Sequence, residues 1–278
     1  MNPQIKERFR ELKITGQRGT LSIEEKKSKD LELIKYLEDI VANEEVTDFE
    51  DIGFCYWNIS DNYALLRDGH ALRKNHQTFY EHIMSYDASY LYWLVCDATQ
   101  RLTLEADGYT DWWWSLYREA VFYNEEKNHS FAEFCAHRTA LYKNPVLPTE
   151  QRHVAFAMES FRAFLEKAKD SPEYPFYRLL YLTSAVKYVP VDKKEMEALS
   201  KELLPGLPST DVSRDFSVGE WKSFTTPFGK RKRAVVGITS AVNALIDAGE
   251  LKEAKELYQV VCENGLPENN YIEKRLNA

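Results

Sequence analysis

At five expected helix starts a short polar residue is followed three positions later by glutamate: Ser22 with Glu25, Thr47 with Glu50, Ser130 with Glu133, Asp192 with Glu195, and Ser217 with Glu220. In such a pair each side chain can satisfy the other residue's backbone N–H, which is a local solution to the unpaired donors at a helix start. Ser171 followed by Pro172 marks a sixth start, because proline in the first helical turn gives up no hydrogen bond it could have made. Between these points apolar residues recur at helical spacings, as in Leu31, Ile34, Leu37 and Ile40, or Phe156, Phe161, Phe164 and Leu165. A stripe of that period is buried by one face of a helix. No alternating apolar and polar run is bounded by an Asn-Gly or Asp-Gly turn, so β-hairpins have no support. The chain reads as all-α.

The pattern predicts helices near residues 22–43, 48–67, 70–85, 87–105, 110–124, 130–142, 150–169, 172–187, 192–203, 217–225, 234–248, 251–264 and 267–276. Most connections are short, so successive helices are expected to be antiparallel hairpins that stack into an α-solenoid. Residues 1–278 are then one helical-repeat domain, with a division into 1–144 and 145–278 suggested by Pro145 and Pro148. Leu204 to Ser217, with Pro205, Gly206 and Pro208, is expected to be a loop.

Composition narrows the setting. With 44% hydrophobic and 13% aromatic residues, the chain can bury enough apolar surface to offset the entropy of ordering. The net charge of −8 argues against a general nucleic-acid surface. Met1 to Arg18 contains no apolar run of signal-peptide length, and nowhere do about 18 apolar residues run together. A cytoplasmic protein with no membrane partner is expected. Cys55, Cys96, Cys135 and Cys262 lie far apart without C-x-x-C spacing, so they are read as reduced residues.

Ile238 to Pro267 reads ITSAVNALIDAGELKEAKELYQVVCENGLP and resembles a tetratricopeptide repeat through Ala241, Leu245, Gly249, Ala254, Tyr258 and Pro267, the proline falling one residue late. Gly249 can take the left-handed conformation that ends a helix, and Ala254 is small enough for two helix axes to approach. Tyr56 to Ile83 is a fainter copy: Tyr56, Ile59, Tyr63 and Gly69 match, but Leu72 stands where a small residue belongs. The resemblance implies a fold and no particular activity. The same C-terminal stretch is similar to a pentatricopeptide repeat, whose arrays bind single-stranded RNA, but one unit in an acidic chain makes no continuous groove.

Two residue runs are candidate partner-binding sites. Lys230, Arg231, Lys232 and Arg233 precede the apolar helix expected from Ala234, where cations oppose the helix dipole unless something negative lies near. Either the protein's own acids, such as Glu220 or those of a neighbouring helix, supply it, or the run is a solvated loop, or a phosphate, nucleic acid or acidic peptide binds there. Trp112, Trp113 and Trp114 sweep about 200° around a helix, too wide for one core stripe. Either the helix is buried on two sides or a tryptophan, with Tyr109, Tyr117, Tyr90, Tyr92 and Trp93 nearby in sequence, anchors a peptide or a second copy of the chain as a homodimer.

Chemistry has weaker support. His129, Glu133 and His137 share a helical face at i, i+4 and i+8, but His129 precedes the Ser130 cap and no further ligand converges, so no metal is assigned. Gly229-Lys230 lacks the earlier glycine and the Ser or Thr of a P-loop. No nucleophile elbow, zinc motif, dinucleotide fingerprint or kinase signature is present. The sequence therefore leads to a non-catalytic scaffold that binds a protein or peptide and takes no cofactor. A sensor of a signalling peptide and an enzyme using a pocket between hairpins are the alternatives.

Overall fold

The computed structural model describes residues 3–13, 19–101, 109–124, 130–141, 151–207, 227–265 and 269–277. Among these are thirteen α-helices and no strand: α1 Pro3–Leu12, α2 Ile23–Ala42, α3 Phe49–Leu66, α4 Gly69–Tyr86, α5 Leu91–Arg101, α6 Tyr109–Asn124, α7 Phe131–Leu141, α8 Gln151–Ala168, α9 Tyr174–Ala185, α10 Lys193–Leu203, α11 Pro227–Asp247, α12 Leu251–Glu263 and α13 Asn270–Leu276. Single 3-10 turns precede α5 at Ala88–Tyr90 and follow α10 at Leu204–Gly206. No helix among the described residues is long and apolar enough to cross a membrane.

The helix starts show the caps at work. Ser22 accepts from Glu25 N at 3.2 Å while its own N–H donates to Glu25 Oε2 at 2.8 Å, a complete reciprocal box. Asp48, not Thr47, caps α3: its Oδ1 accepts from Glu50 N and Asp51 N. Ser130 and Asp192 each accept from the backbone of Glu133 and Glu195, but the two glutamate side chains turn to Lys167 and Arg178 instead of back to the caps. A partner on another helix outcompetes the local donor. Helix α9 starts two residues later than expected, with Pro175 in its first turn and Ser171 Oγ accepting from Glu173 N.

Two expectations are corrected. The polar N-terminal stretch holds a helix, α1, which buries Ile5, Phe9 and Leu12, a stripe of spacing three and four overlooked among many charges. And α11 begins at Pro227 rather than near residue 234. The helix expected at 217–225 and the Pro145–Pro148 joint lie outside the described residues, as does most of the expected loop after Leu204, which opens with the 3-10 turn.

The helices fall into two compact units, α1 to α6 and α7 to α13. In unit 1, α2 packs on α3, α3 on α4, and α5 on α6. In unit 2, α7 packs on α8, α9 on α10, α10 on α11, and α11 on α12. Contacts also skip one helix: α3 touches α5, α7 touches α9, α9 touches α11, and α11 touches α13. Unit 1 buries Leu37, Ile59, Phe79, Trp113 and Tyr117, and unit 2 buries Phe134, Phe161, Phe164 and Tyr177. Each such side chain contributes roughly 1.5–3 kcal/mol relative to exposure.

The terminal pair α11–α12 turns on Gly249, at φ +79, where a side chain would be strained. Ala241 and Ala254 are both fully buried, leaving room for the two helices to approach. Tyr258 accepts from Asn269 N at 2.7 Å and donates to Glu273 Oε1 at 3.2 Å, tying α12 to the start of α13. Pro267 lies outside the described residues. In the fainter copy, the left-handed residue between α3 and α4 is Arg67, at φ +57, and Gly69 is the first residue of α4. Leu72, in place of a small residue, is fully buried.

Candidate functional site

The basic run occupies the first two turns of α11, and its four residues divide. Arg231 Nη1 donates to the Leu207 carbonyl at 2.5 Å. Arg233 is 5% exposed, with its guanidinium 4.8 Å from the Phe131 ring centroid and 5.2 Å from that of Phe176. Burial lowers it to about 10, opposed by the nearby Tyr177 and Glu173. A weakly hydrated guanidinium tolerates such a place better than an ammonium, because it can stack on aromatic faces. These two arginines hold α11 against its own unit. Lys230 and Lys232 are exposed, so a partner meeting this run would meet the lysines.

Behind the run the backbone is close. A Cβ placed on Gly206 would lie 2.9 Å from the Lys230 carbonyl oxygen and 3.3 Å from the Ala234 Cβ. A Cβ on Gly237 would lie 2.8 Å from Leu203 Cδ1. Glycine at both positions lets α11 settle onto α9, α10 and the 3-10 turn.

The three tryptophans also divide. Trp113 and Trp114 are fully buried. Trp113 Nε1 donates to Thr99 Oγ1 at 2.8 Å and to the Val95 carbonyl at 3.1 Å, and its ring stacks on Tyr117 at 5.6 Å. Helix α6 is buried over a wide face that also takes Leu116 and Ala120, which absorbs two of the three rings. Neither of these can anchor a partner in this conformation. Trp112 is only partly buried, its ring nearly parallel to that of His76 with centroids 6.2 Å apart. Of the aromatic neighbours in sequence, Tyr92 is buried and Tyr90 packs 4.0 Å from Phe49.

Each unit contains a histidine against a carboxylate. His76 Nε2 on α4 lies 3.0 Å from Asp97 Oδ2 on α5, both side chains 1% exposed. On α7, His137 Nε2 lies 3.4 Å from Glu133 Oε1, which accepts from Lys167 Nζ on α8 at 2.6 Å. Burial holds His137 below the usual imidazole range, against the pull of Glu133. Phe161 and Phe164 flank its ring, both at 5.7 Å. Glu133 and His137 thus share one buried face, and the carboxylate is paired with Lys167. His129 lies outside the described residues, and among those described no group of three metal-ligating side chains is found.

Sequence reasoning missed Asp97 and Lys167, which stand 21 and 34 positions from their partners; no local pattern marks such pairs. It also missed the polar side chains inside unit 1. Asn75 donates to Ser60 Oγ at 2.9 Å and to the Tyr56 carbonyl, while Asn58 and Asn62 each donate to the carbonyl four residues earlier. The four cysteines are free thiols, and burial pushes that of Cys55 up to about 12, far from the thiolate a nucleophile needs.

No family model matches this chain, and no curated protein or solved structure shows a significant similarity to it.

Proposed function

We propose that this protein is a tetratricopeptide-like scaffold of helical hairpins that binds a protein or peptide segment and performs no covalent chemistry. The observation that carries this reading is the contact pattern of unit 2. There α7, α9 and α11 each touch the helix two further along, while α8, α10 and α12 make no comparably extensive contacts with one another among the described residues. One helix of each hairpin thus lies against its counterpart in the next, which is how stacked repeats generate an extended surface for a long ligand. The turn at Gly249 and the small residues Ala241 and Ala254 supply the same geometry locally.

The partner best suited to this surface is acidic near the start of α11. Lys230 and Lys232 are exposed there, and two neighbouring positive charges complement an anionic surface. The test is affinity capture from native lysate followed by calorimetry with the purified captured protein. Saturable binding to the wild type, weakened in the Lys230→Ala/Lys232→Ala variant with its circular dichroism unchanged, is the expected result. Retention of nothing beyond background, or binding indifferent to both lysines, would overturn the assignment of the surface.

A further inference from the structure

Asn264 is the one asparagine in the chain that is followed by glycine. Such a pair is chemically self-reactive, because glycine carries no side chain to obstruct its own amide nitrogen. After losing its proton to solvent, the Gly265 nitrogen can attack Asn264 Cγ. A Cγ–N bond forms, the Cγ–Nδ2 bond breaks, and ammonia leaves. Water then opens the resulting five-membered succinimide at either carbonyl, giving aspartate or isoaspartate. The sequence consumes one water, releases one ammonia and needs no oxidant or reductant.

The structure occupies both reacting groups. Asn264 is the C-cap residue of α12, exposed to the water that the second step requires. Its Nδ2 donates to the Val260 carbonyl at 2.8 Å, which turns the side chain back along the helix. The Gly265 N–H donates to the Cys262 carbonyl at 3.0 Å, with Gly265 at φ +95. Ring closure needs the nitrogen deprotonated and the side chain swung forward, so both hydrogen bonds must break first. These are the bonds that satisfy the last carbonyls of α12.

We propose that Asn264–Gly265 is a spontaneous deamidation site held closed by the C-cap of α12, so that its rate reports opening of that helix end. The product consolidates the opening. A carboxylate has no hydrogen to donate to the Val260 carbonyl, its charge opposes the negative end of the helix, and the isoaspartate form adds a backbone methylene. Helix α12 is joined to α13 through this segment, so the modification weakens the end of the stack that Tyr258 fastens.

The test is timed incubation of the full chain at mildly alkaline pH, with and without urea, followed by peptide mass spectrometry of residue 264 and isoaspartate detection. Conversion is expected to be at least about tenfold faster in urea, as for a bond protected by a local opening equilibrium, and to quicken with pH in urea. Equal rates with and without urea would show that the C-cap gives no protection, and no conversion in urea would show that the pair is not reactive; either overturns the proposal. Hydrogen exchange on Asn264→Asp supplies a second reading. Faster exchange at the backbone amides of positions 264 and 265 than in the wild type is expected, and unchanged exchange would refute the consolidating role of the charge.

Discussion

The two units bury the same pair of residue types and treat them differently. In unit 1, His76 and Asp97 face each other from neighbouring helices at 3.0 Å, with the ring of Trp112 parallel to the imidazole. In unit 2, Glu133 has a closer partner, Lys167 at 2.6 Å, and His137 stands off at 3.4 Å. Where a permanent cation already holds the carboxylate, the imidazole gains less from it, and burial prevails. In unit 2 a third charged side chain thus enters the contact between imidazole and carboxylate. A convenient probe separates the units: five of the six tryptophans precede residue 115, so fluorescence follows unit 1 while circular dichroism follows both.

The largest expected effect is in unit 1. Trp113→Ala removes a fully buried ring and both hydrogen bonds of its Nε1, a loss of about 3–5 kcal/mol, read as a fall in the fluorescence midpoint of urea unfolding. Next is Lys167→Met, which leaves Glu133 buried without its cation, at about 3 kcal/mol. Its shift should show in circular dichroism with the fluorescence midpoint in place; identical shifts by both probes would mean that the units unfold together, and the comparison would lose its basis. Gly206→Ala drives a Cβ to within 2.9 Å of the Lys230 carbonyl oxygen and should cost about 1–3 kcal/mol, again in unit 2.

The folded-state value of His137 lies below the ordinary imidazole value of 6.5, so the unfolded chain binds the proton first. The stability tied to a neutral His137 is complete above about pH 6.5 and drains away as pH falls through the lower folded value. His137→Phe should flatten that decline in the circular dichroism transition; a decline of unchanged slope would assign it to other groups. The smallest effect belongs to Lys230→Ala/Lys232→Ala, both exposed. It should change stability by less than about 0.5 kcal/mol, as for surface positions away from the core. A larger loss would place the lysines in the fold rather than on a binding surface.

Much of the helical framework was legible because its causes are local. The Ser22 box, the Asp192 cap and Gly249 are each decided by a few consecutive residues, and they stand as read. Local reasoning failed where two solutions compete within reach. Thr47 and Asp48 could both cap α3, and the carboxylate prevails. Lys230 to Arg233 suggested a solvated lead-in to a helix, yet α11 extends through them because Arg233 finds Phe131 and Phe176. Trp113 and Trp114 could not be separated from Trp112 by periodicity, since the width of a buried face depends on how many helices lie against it.

By itself the sequence determined an all-α chain, the position of most helices and the turn at the last hairpin, because capping, helical period and glycine's freedom act over four or five residues. The tertiary structure alone decided that Glu133 belongs to Lys167, that His76 meets Asp97, and that two of four adjacent cations turn inward while two remain outside. Those outcomes depend on which helices pack together, and packing joins residues that no local pattern connects.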